Sequence, residues 1–84
     1  MNRNDSRLQR PLQQMPDDIA QLLEQRGLRE AYDQRPAYQR NDYLAWIARA
    51  KLAATRQKRI TQMLEELADG GVYMGMAHRP TVQP

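Results

Sequence analysis

The 84-residue chain has no cysteine, no phenylalanine, one histidine and one tryptophan. Without cysteine it has no disulfide and no thiolate metal ligand, and a single histidine leaves a zinc site to be built mostly from carboxylates. No stretch approaches the roughly 20 apolar residues that span a bilayer, and the polar N-terminus lacks the apolar segment of a signal peptide. We therefore expect a cytoplasmic protein without a metal or a membrane span, held together by helix packing, with a monomer favoured over an oligomer.

Residues that could carry catalysis are also scarce. Ser6 is the only serine and lies in the polar N-terminal segment, so a serine triad is excluded. Gly70 and Gly71 follow a helical pattern instead of opening one, which argues against a phosphate-binding loop. His78 has no partner at metal-ligand spacing, and neighbouring carboxylates on a helix diverge by about 100°. The neighbouring carboxylates are Asp17 with Asp18 and Glu65 with Glu66. We expect no catalytic residue, no cofactor and no enzyme.

What the sequence does contain is helical periodicity across residues 16–71, which predicts an all-α domain. We expect a small bundle of three to four short helices. The predicted helices cover about 16–26, 28–33, 37–51 and 55–69. A flexible polar arm, residues 1–15, precedes them, and an irregular tail, residues 72–84, follows and packs partly back on the domain. Pro16 suits the first turn of a helix, and Gly27 suits its left-handed end.

Two amphipathic patterns form the centre of the domain. In the first, apolar residues cover one wide face of the predicted third helix, while Asp42, Ala45 and Arg49 point to solvent. This face consists of Tyr43, Leu44, Trp46, Ile47 and Ala50. Trp46 lies at the edge of the face, where its N–H can reach water or a partner. The second pattern consists of Ile60, Met63, Leu64 and Leu67, with Thr55 as the predicted N-cap.

The charges of residues 16–71 cancel, since nine Lys or Arg balance nine Asp or Glu. Five basic residues nevertheless fall within eleven positions that hold no acidic residue. They are Arg49, Lys51, Arg56, Lys58 and Arg59. In the predicted fourth helix the basic residues lie at the positive end of the helix dipole and the acidic residues at the negative end, which is unfavourable within the helix. Tertiary ion pairs, for example from Arg56 to Asp33 or Asp42, or anion binding would account for this placement.

The central region resembles a known family. The pattern YxxWIxxAK begins at Tyr43, TRxxRI begins at Thr55, and a leucine and a glycine close the region at Leu67 and Gly70. This pattern resembles the C-terminal region of the YdeI or OmpD-associated (bacteriocin-protection) family. The resemblance is looser over residues 16–38. It implies a bacterial protein with a small helical domain, linked by the family name to an outer-membrane porin and to protection against bacteriocins. It supplies no catalytic residue.

Three functional hypotheses follow. In the first, the protein is an interaction or stress-associated module that contacts an unidentified protein partner or an acidic group through the groove between the third and fourth helices. The candidate contact residues are Tyr43, Trp46, Lys51, Thr55, Arg56 and Arg59. The alternative for the same residues is structural, with Tyr43 and Trp46 in the core and Arg56 in an ion pair. The second hypothesis is nucleic-acid binding by a helix-turn-helix-like module, which the acidic residues oppose. The third is a small-anion sensor at the helix N-terminus near Thr55.

Overall fold

The computed structural model describes residues 12–77, which form four helices and one β-hairpin. The helices are α1 (Asp17–Gln25), α2 (Arg29–Asp33), α3 (Ala37–Ala48) and α4 (Ala53–Asp69), and the antiparallel strands are β1 (Val72–Tyr73) and β2 (Met76–Ala77). The predicted all-α class and small helical bundle are confirmed. Ser6, His78 and most of the predicted N-terminal arm lie outside the described residues. Between residues 12 and 77 no helix combines the length and apolar character needed to cross a membrane.

The end of α1 follows the prediction from its glycine. Gly27 has a φ of 67°, the left-handed region that favours glycine. The N–H of Leu28 donates to the carbonyl of Leu23 at 2.8 Å, and the N–H of Gly27 donates to that of Glu24 at 3.1 Å. These two bonds make a Schellman motif, which satisfies carbonyls that the helix itself leaves unpaired.

The predicted end of α3 at Lys51 is wrong, because the helix ends at Ala48. Beyond Ala48 the N–H of Ala50 donates to the carbonyl of Ile47 at 3.1 Å, a bond that spans three residues instead of four. This tighter turn lets the chain change direction towards α4. Lys51 consequently belongs to the connection between the two helices.

The predicted start of α4 at Thr55 is also wrong, because the helix begins at Ala53. Leu52, with φ −104° and ψ 144°, occupies the N-cap position, and no side chain caps the helix there. Alanine is the best helix former, so Ala53 and Ala54 extend the helix upstream of the residue with a capping hydroxyl. Thr55 therefore lies in the first turn.

The core is made by the apolar faces of all four helices, with α3 and α4 packed against each other. Its buried members are Ile19, Leu23, Tyr32, Tyr43, Leu44, Ile47, Ile60, Met63, Leu64 and Leu67. The apolar faces predicted for the third and fourth helices thus supply most of it, and Trp46 packs at its edge, half-buried.

The prediction that Ala45 points to solvent is wrong, because Ala45 is buried. The N–H of Gln13 donates to the side-chain oxygen of Asn41 at 2.7 Å, which fixes the segment before α1 on this face of α3. Ala45 lies one turn beyond Asn41 on the same face. A segment distant in sequence thus contacts the face that holds Ala45, which helical periodicity assigns to solvent.

Residues 72–77 form a hairpin where the sequence predicts an irregular tail. Strands β1 and β2 are joined by Met74 and Gly75, whose φ angles are 54° and 80°. Positive φ at both central residues defines a type I′ turn, which matches the twist of a two-residue hairpin. Tyr73 and Met74 pack against the helical core.

Core burial allows a direct test with two leucines. Leu23 is fully buried and Leu52 is 68% exposed. We expect Leu23→Ala to lower the free energy of unfolding by about 2–5 kcal/mol, and Leu52→Ala to change it by less than about 0.5 kcal/mol. Urea unfolding followed by circular dichroism measures both. Equal losses from the two variants would contradict this assignment of the core.

Candidate functional site

Arg59 joins the first turns of α4 to the end of α3. Its guanidinium donates to the backbone carbonyl of Trp46 at 2.7 Å and lies 5.3 Å from the centre of the indole ring. The carbonyl belongs to the last turn of α3, where no helical N–H remains to pair with it. A cation is also favourable at this end of the helix dipole. Arg59 therefore caps α3 and covers the Trp46 ring with a cation–π contact.

Arg56 pairs with α1. Its two terminal nitrogens donate to the two carboxylate oxygens of Asp18 at 2.8 and 3.2 Å. The predicted ion pair thus exists, but the predicted partners Asp33 and Asp42 are wrong. The Arg56 bond lowers the pKa of Asp18, although burial opposes this. Because both side chains are partly exposed, this ion pair contributes less than about 1 kcal/mol.

Three basic side chains around the start of α4 have no such partner. Arg49, Lys51 and Lys58 are exposed and make no ion pair or side-chain hydrogen bond with any other residue of the 12–77 region. Leu52, between them in sequence, is also exposed. We call these four residues the basic edge. Thr55, half-buried in the first turn, makes no capping bond, and this turn contains no acidic residue. Along the sequence, the basic edge thus flanks the N-terminus of α4, which has no side-chain cap.

Tyr43 is separated from this group. Its side chain is completely buried, and its hydroxyl donates to Oε1 of Glu66 at 2.6 Å, near the other end of α4. The hydroxyl that the sequence offers as a surface contact is therefore engaged inside the protein. The structure brings Trp46, Lys51, Thr55, Arg56 and Arg59 to the α3–α4 junction.

Glu66 is a buried carboxylate, 6% exposed, that accepts four hydrogen bonds. Its Oε1 accepts from the hydroxyl of Tyr43 at 2.6 Å and from the N–H of Met74 at 2.7 Å. Its Oε2 accepts from the N–H of Gly75 at 2.8 Å and from the amide of Gln62 at 2.9 Å. Each oxygen thus binds one side-chain donor and one N–H of the hairpin turn, so that a single carboxylate joins α3, α4 and the hairpin.

Burial and hydrogen bonding together determine the protonation states of Glu66 and Tyr43. Burial alone would raise the pKa of Glu66, but the four donors favour its charged form and together lower the pKa below the usual glutamate range. Burial raises the pKa of Tyr43, and donation to Glu66 raises it further. Glu66 is consequently an anion and Tyr43 a neutral donor at neutral pH.

Tyr73 fixes the hairpin against α3. Its hydroxyl donates to the carboxylate of Asp42 at 2.8 Å. Its ring meets the rings of Tyr43 and Tyr38 edge-to-face, with centroids 5.4 and 6.1 Å apart. This geometry is the favourable one for aromatic pairs.

Arg35 supports the other side of Glu66. This arginine is 6% exposed and donates to the backbone carbonyl of Glu66 at 3.0 Å and to the side-chain oxygen of Gln39 at 3.2 Å. The carbonyl also accepts the N–H of Gly70, where α4 ends. Arg35 thus ties the α2–α3 connection to the last turn of α4.

Sequence reasoning missed Glu66, although a sign of its burial was present. At 100° per residue, Glu66 lies about 60° from Met63 at the flank of the apolar face, whereas Glu65 points away from it. Its donors could not be anticipated, because two of them are backbone groups of a hairpin that the sequence does not predict. Arg35 was missed because it lies in a connection without periodicity.

The arrangement offers binding surfaces more readily than reactive groups. Both oxygens of Glu66 are occupied by donors, which leaves this carboxylate unsuited to accept a substrate proton. Across the described part of the chain, no three His, Cys, Asp or Glu side chains cluster as metal ligands would. Among the exposed groups, the basic edge offers three cationic side chains for binding.

A family model described as bacteriocin-protection, YdeI or OmpD-associated matches residues 14–70. No curated protein and no solved structure matches the chain. The matched region contains all four helices, the Arg59–Trp46 contact and Glu66, and it ends at the glycine that closes α4. The hairpin lies beyond it.

Arg59 and Lys58 form a matched pair for testing the helix connection. We expect Arg59→Met to lower the free energy of unfolding by about 1–3 kcal/mol, because the Trp46 carbonyl loses a charged donor. Lys58→Met, at an exposed position one residue earlier, should change it by less than about 0.5 kcal/mol. Urea unfolding followed by the fluorescence of the single tryptophan measures both. Equal midpoints for the two variants would show that the contact contributes nothing.

Glu66 should also make stability depend on pH. Because its pKa is lower in the folded than in the unfolded state, its contribution is complete above the usual glutamate pKa of about 4.3 and is lost as pH falls below that value. Glu66→Gln places an amide N–H₂ where a carboxylate oxygen accepts two bonds, so we expect a loss of about 1–3 kcal/mol at pH 7.

The pH series separates this effect from general destabilisation. Between pH 6 and pH 3 the free energy of unfolding should fall more steeply in the wild type than in Glu66→Gln. Asp18 contributes in the same direction in both proteins. The exposed neighbour gives the control, since Glu65→Gln should keep the wild-type slope. Parallel curves for wild type and Glu66→Gln would refute the assignment.

Proposed function

The chain belongs to the bacteriocin-protection, YdeI or OmpD-associated family, and we propose that it acts in bacteriocin protection as a non-enzymatic binding module. Its ligand is an acidic segment of a protein partner. The basic edge makes the contact, with Trp46, Arg56, Arg59 and Thr55 beside it.

The observation that carries this proposal is the unpaired charge at the start of α4. Arg49, Lys51 and Lys58 are exposed and have no acidic partner among residues 12–77, and the first turn of α4 has no cap. Surface charges of one sign accelerate the encounter with an oppositely charged partner and fix its orientation. Exposed Leu52 and half-buried Trp46 add apolar area beside the charges. Together they form a surface suited to a carboxylate-rich segment.

The structural roles of Arg56 and Arg59 are compatible with this surface. Asp18 neutralises Arg56, and Arg59 donates to a backbone carbonyl that carries no net charge. Arg59 therefore keeps its positive charge while its position is fixed against Trp46. A pre-positioned arginine loses less conformational freedom when it binds a carboxylate.

A second candidate is a small-anion sensor at the α4 N-terminus. The uncapped first turn, without an acidic residue, favours an anion because backbone N–H groups and the helix dipole both point towards it. Inorganic phosphate should then shift the amide resonances of Ala53, Ala54 and Thr55 in a titration.

The test of the main proposal is a pair of synthetic peptides. One is rich in Asp and Glu, and the other carries Asn and Gln at the same positions. We expect the acidic peptide alone to change the fluorescence of Trp46 in the full-length protein, with an affinity that falls as salt is added. Lys51→Glu should weaken binding about fivefold, which corresponds to about 1 kcal/mol for a surface charge contact.

Arg26→Glu provides the matched control. Arg26 is exposed and follows α1, at the opposite end of that helix from Asp18, and the substitution makes the same change of charge. It should alter the affinity less than twofold, since only general electrostatics is affected. Equal weakening by Lys51→Glu and Arg26→Glu, or equal binding of both peptides, would refute the proposal. A gel shift of DNA at low salt would instead favour nucleic-acid binding.

A further inference from the structure

We propose that the hairpin of residues 72–77 is a detachable cover, which opens as one unit while the four helices stay folded and thereby exposes the Tyr43–Glu66 face. Glu66 is the latch that holds the cover closed. The hairpin lies at the end of α4 away from the basic edge, so its opening is independent of the proposed function.

The helical core is complete without the hairpin. All ten buried residues of the core lie between Ile19 and Leu67, and the hairpin adds only half-buried Tyr73 and Met74 to its edge. The family match also ends at residue 70, before the first strand. Two independent observations thus place the boundary of the bundle at the end of α4.

The hairpin has little stability of its own. Each strand has two residues, and a two-stranded hairpin without further packing is marginal in water. Met74 adopts a φ of 54°, a conformation that costs free energy for a side chain other than glycine. The hairpin therefore needs its contacts with the helices.

The hydrogen bonds from the hairpin turn to the helices converge on one group. The turn amides of Met74 and Gly75 both donate to Glu66, and the Tyr73 hydroxyl donates to Asp42. On opening, water can replace each of these donors at the carboxylates. Left-handed Gly70, followed by Gly71, precedes the hairpin and provides the hinge.

Opening of the hairpin would expose an acidic face at the C-terminal end of α4. The closed form buries a carboxylate and a tyrosine hydroxyl, and the open form presents Glu66, Tyr43 and Asp42 together. The exposed face would be acidic and rich in hydrogen-bond acceptors. It is thus opposite in charge to the basic edge at the start of α4.

Hydrogen exchange of the full-length protein tests this directly. The amides of Met74 and Gly75 report the closed hairpin because both donate to Glu66, and the amide of Leu64 in α4 reports the bundle. We expect the two turn amides to exchange at least tenfold faster than that of Leu64 and with almost no dependence on urea, as local openings do. Equal rates and equal urea slopes at all three amides would show that the hairpin opens only when the protein unfolds, and would overturn the proposal.

Two variants separate the latch from general stability. Tyr73→Phe removes only the hydroxyl that reaches Asp42, and we expect about tenfold faster exchange at Met74 and Gly75 with no change at Leu64. Glu66→Gln should accelerate the turn amides more than it accelerates Leu64, and Glu65→Gln should change none of them. Acceleration of the turn amides and Leu64 by the same factor in both Tyr73→Phe and Glu66→Gln would contradict a separate cover.

Discussion

Glu66 is only 6% exposed, and its carboxylate accepts hydrogen bonds from four donors. A buried charge with fewer partners would be strongly unfavourable, so the position of this group constrains everything around it. Tyr43 must place its hydroxyl at one oxygen, which fixes the rotation of α3 against α4. The hairpin must present two successive N–H groups, and positive φ angles at Met74 and Gly75 achieve this. The strain at Met74 is acceptable because the docked turn satisfies a buried anion.

Tertiary contacts also explain the positions of three charged residues on α4, where the order of charges is unfavourable within the isolated helix. Arg56 and Arg59 stand near its positive end because they bind Asp18 of α1 and the last turn of α3. Glu66 stands near its negative end because it binds the hairpin. Each dipole penalty amounts to a few tenths of a kcal/mol. A charged hydrogen bond that is shielded from water, such as that of Arg59 or Glu66, contributes about 1.5–3 kcal/mol, and the exposed Arg56–Asp18 ion pair contributes less than about 1 kcal/mol. Tertiary contacts therefore determine the placement of these charges along α4.

Periodicity and glycine were sufficient to predict the helical class, the apolar faces of α3 and α4 and the end of α1 at Gly27. They could not identify Asp18 as the partner of Arg56, because that pairing depends on how α1 crosses α4. Periodicity likewise could not predict the bond from Gln13 to Asn41, on the face of α3 that holds Ala45. The hairpin depends on an anion already in place. Local sequence patterns do not predict the contacts between elements that are distant in sequence.

The two ends of α4 differ in what they can do. At its start, Lys51 and Lys58 are exposed beside an uncapped first turn, and at its end Glu66 is enclosed by donors. Thr55 and Glu66 are eleven residues apart, or about 16 Å along the helix axis at 1.5 Å per residue. Substitutions separated by more than about 10 Å without shared partners act independently. A ligand at the basic edge can therefore bind without opening the hairpin, and the two would be coupled only if a ligand made different contacts with the open and closed forms.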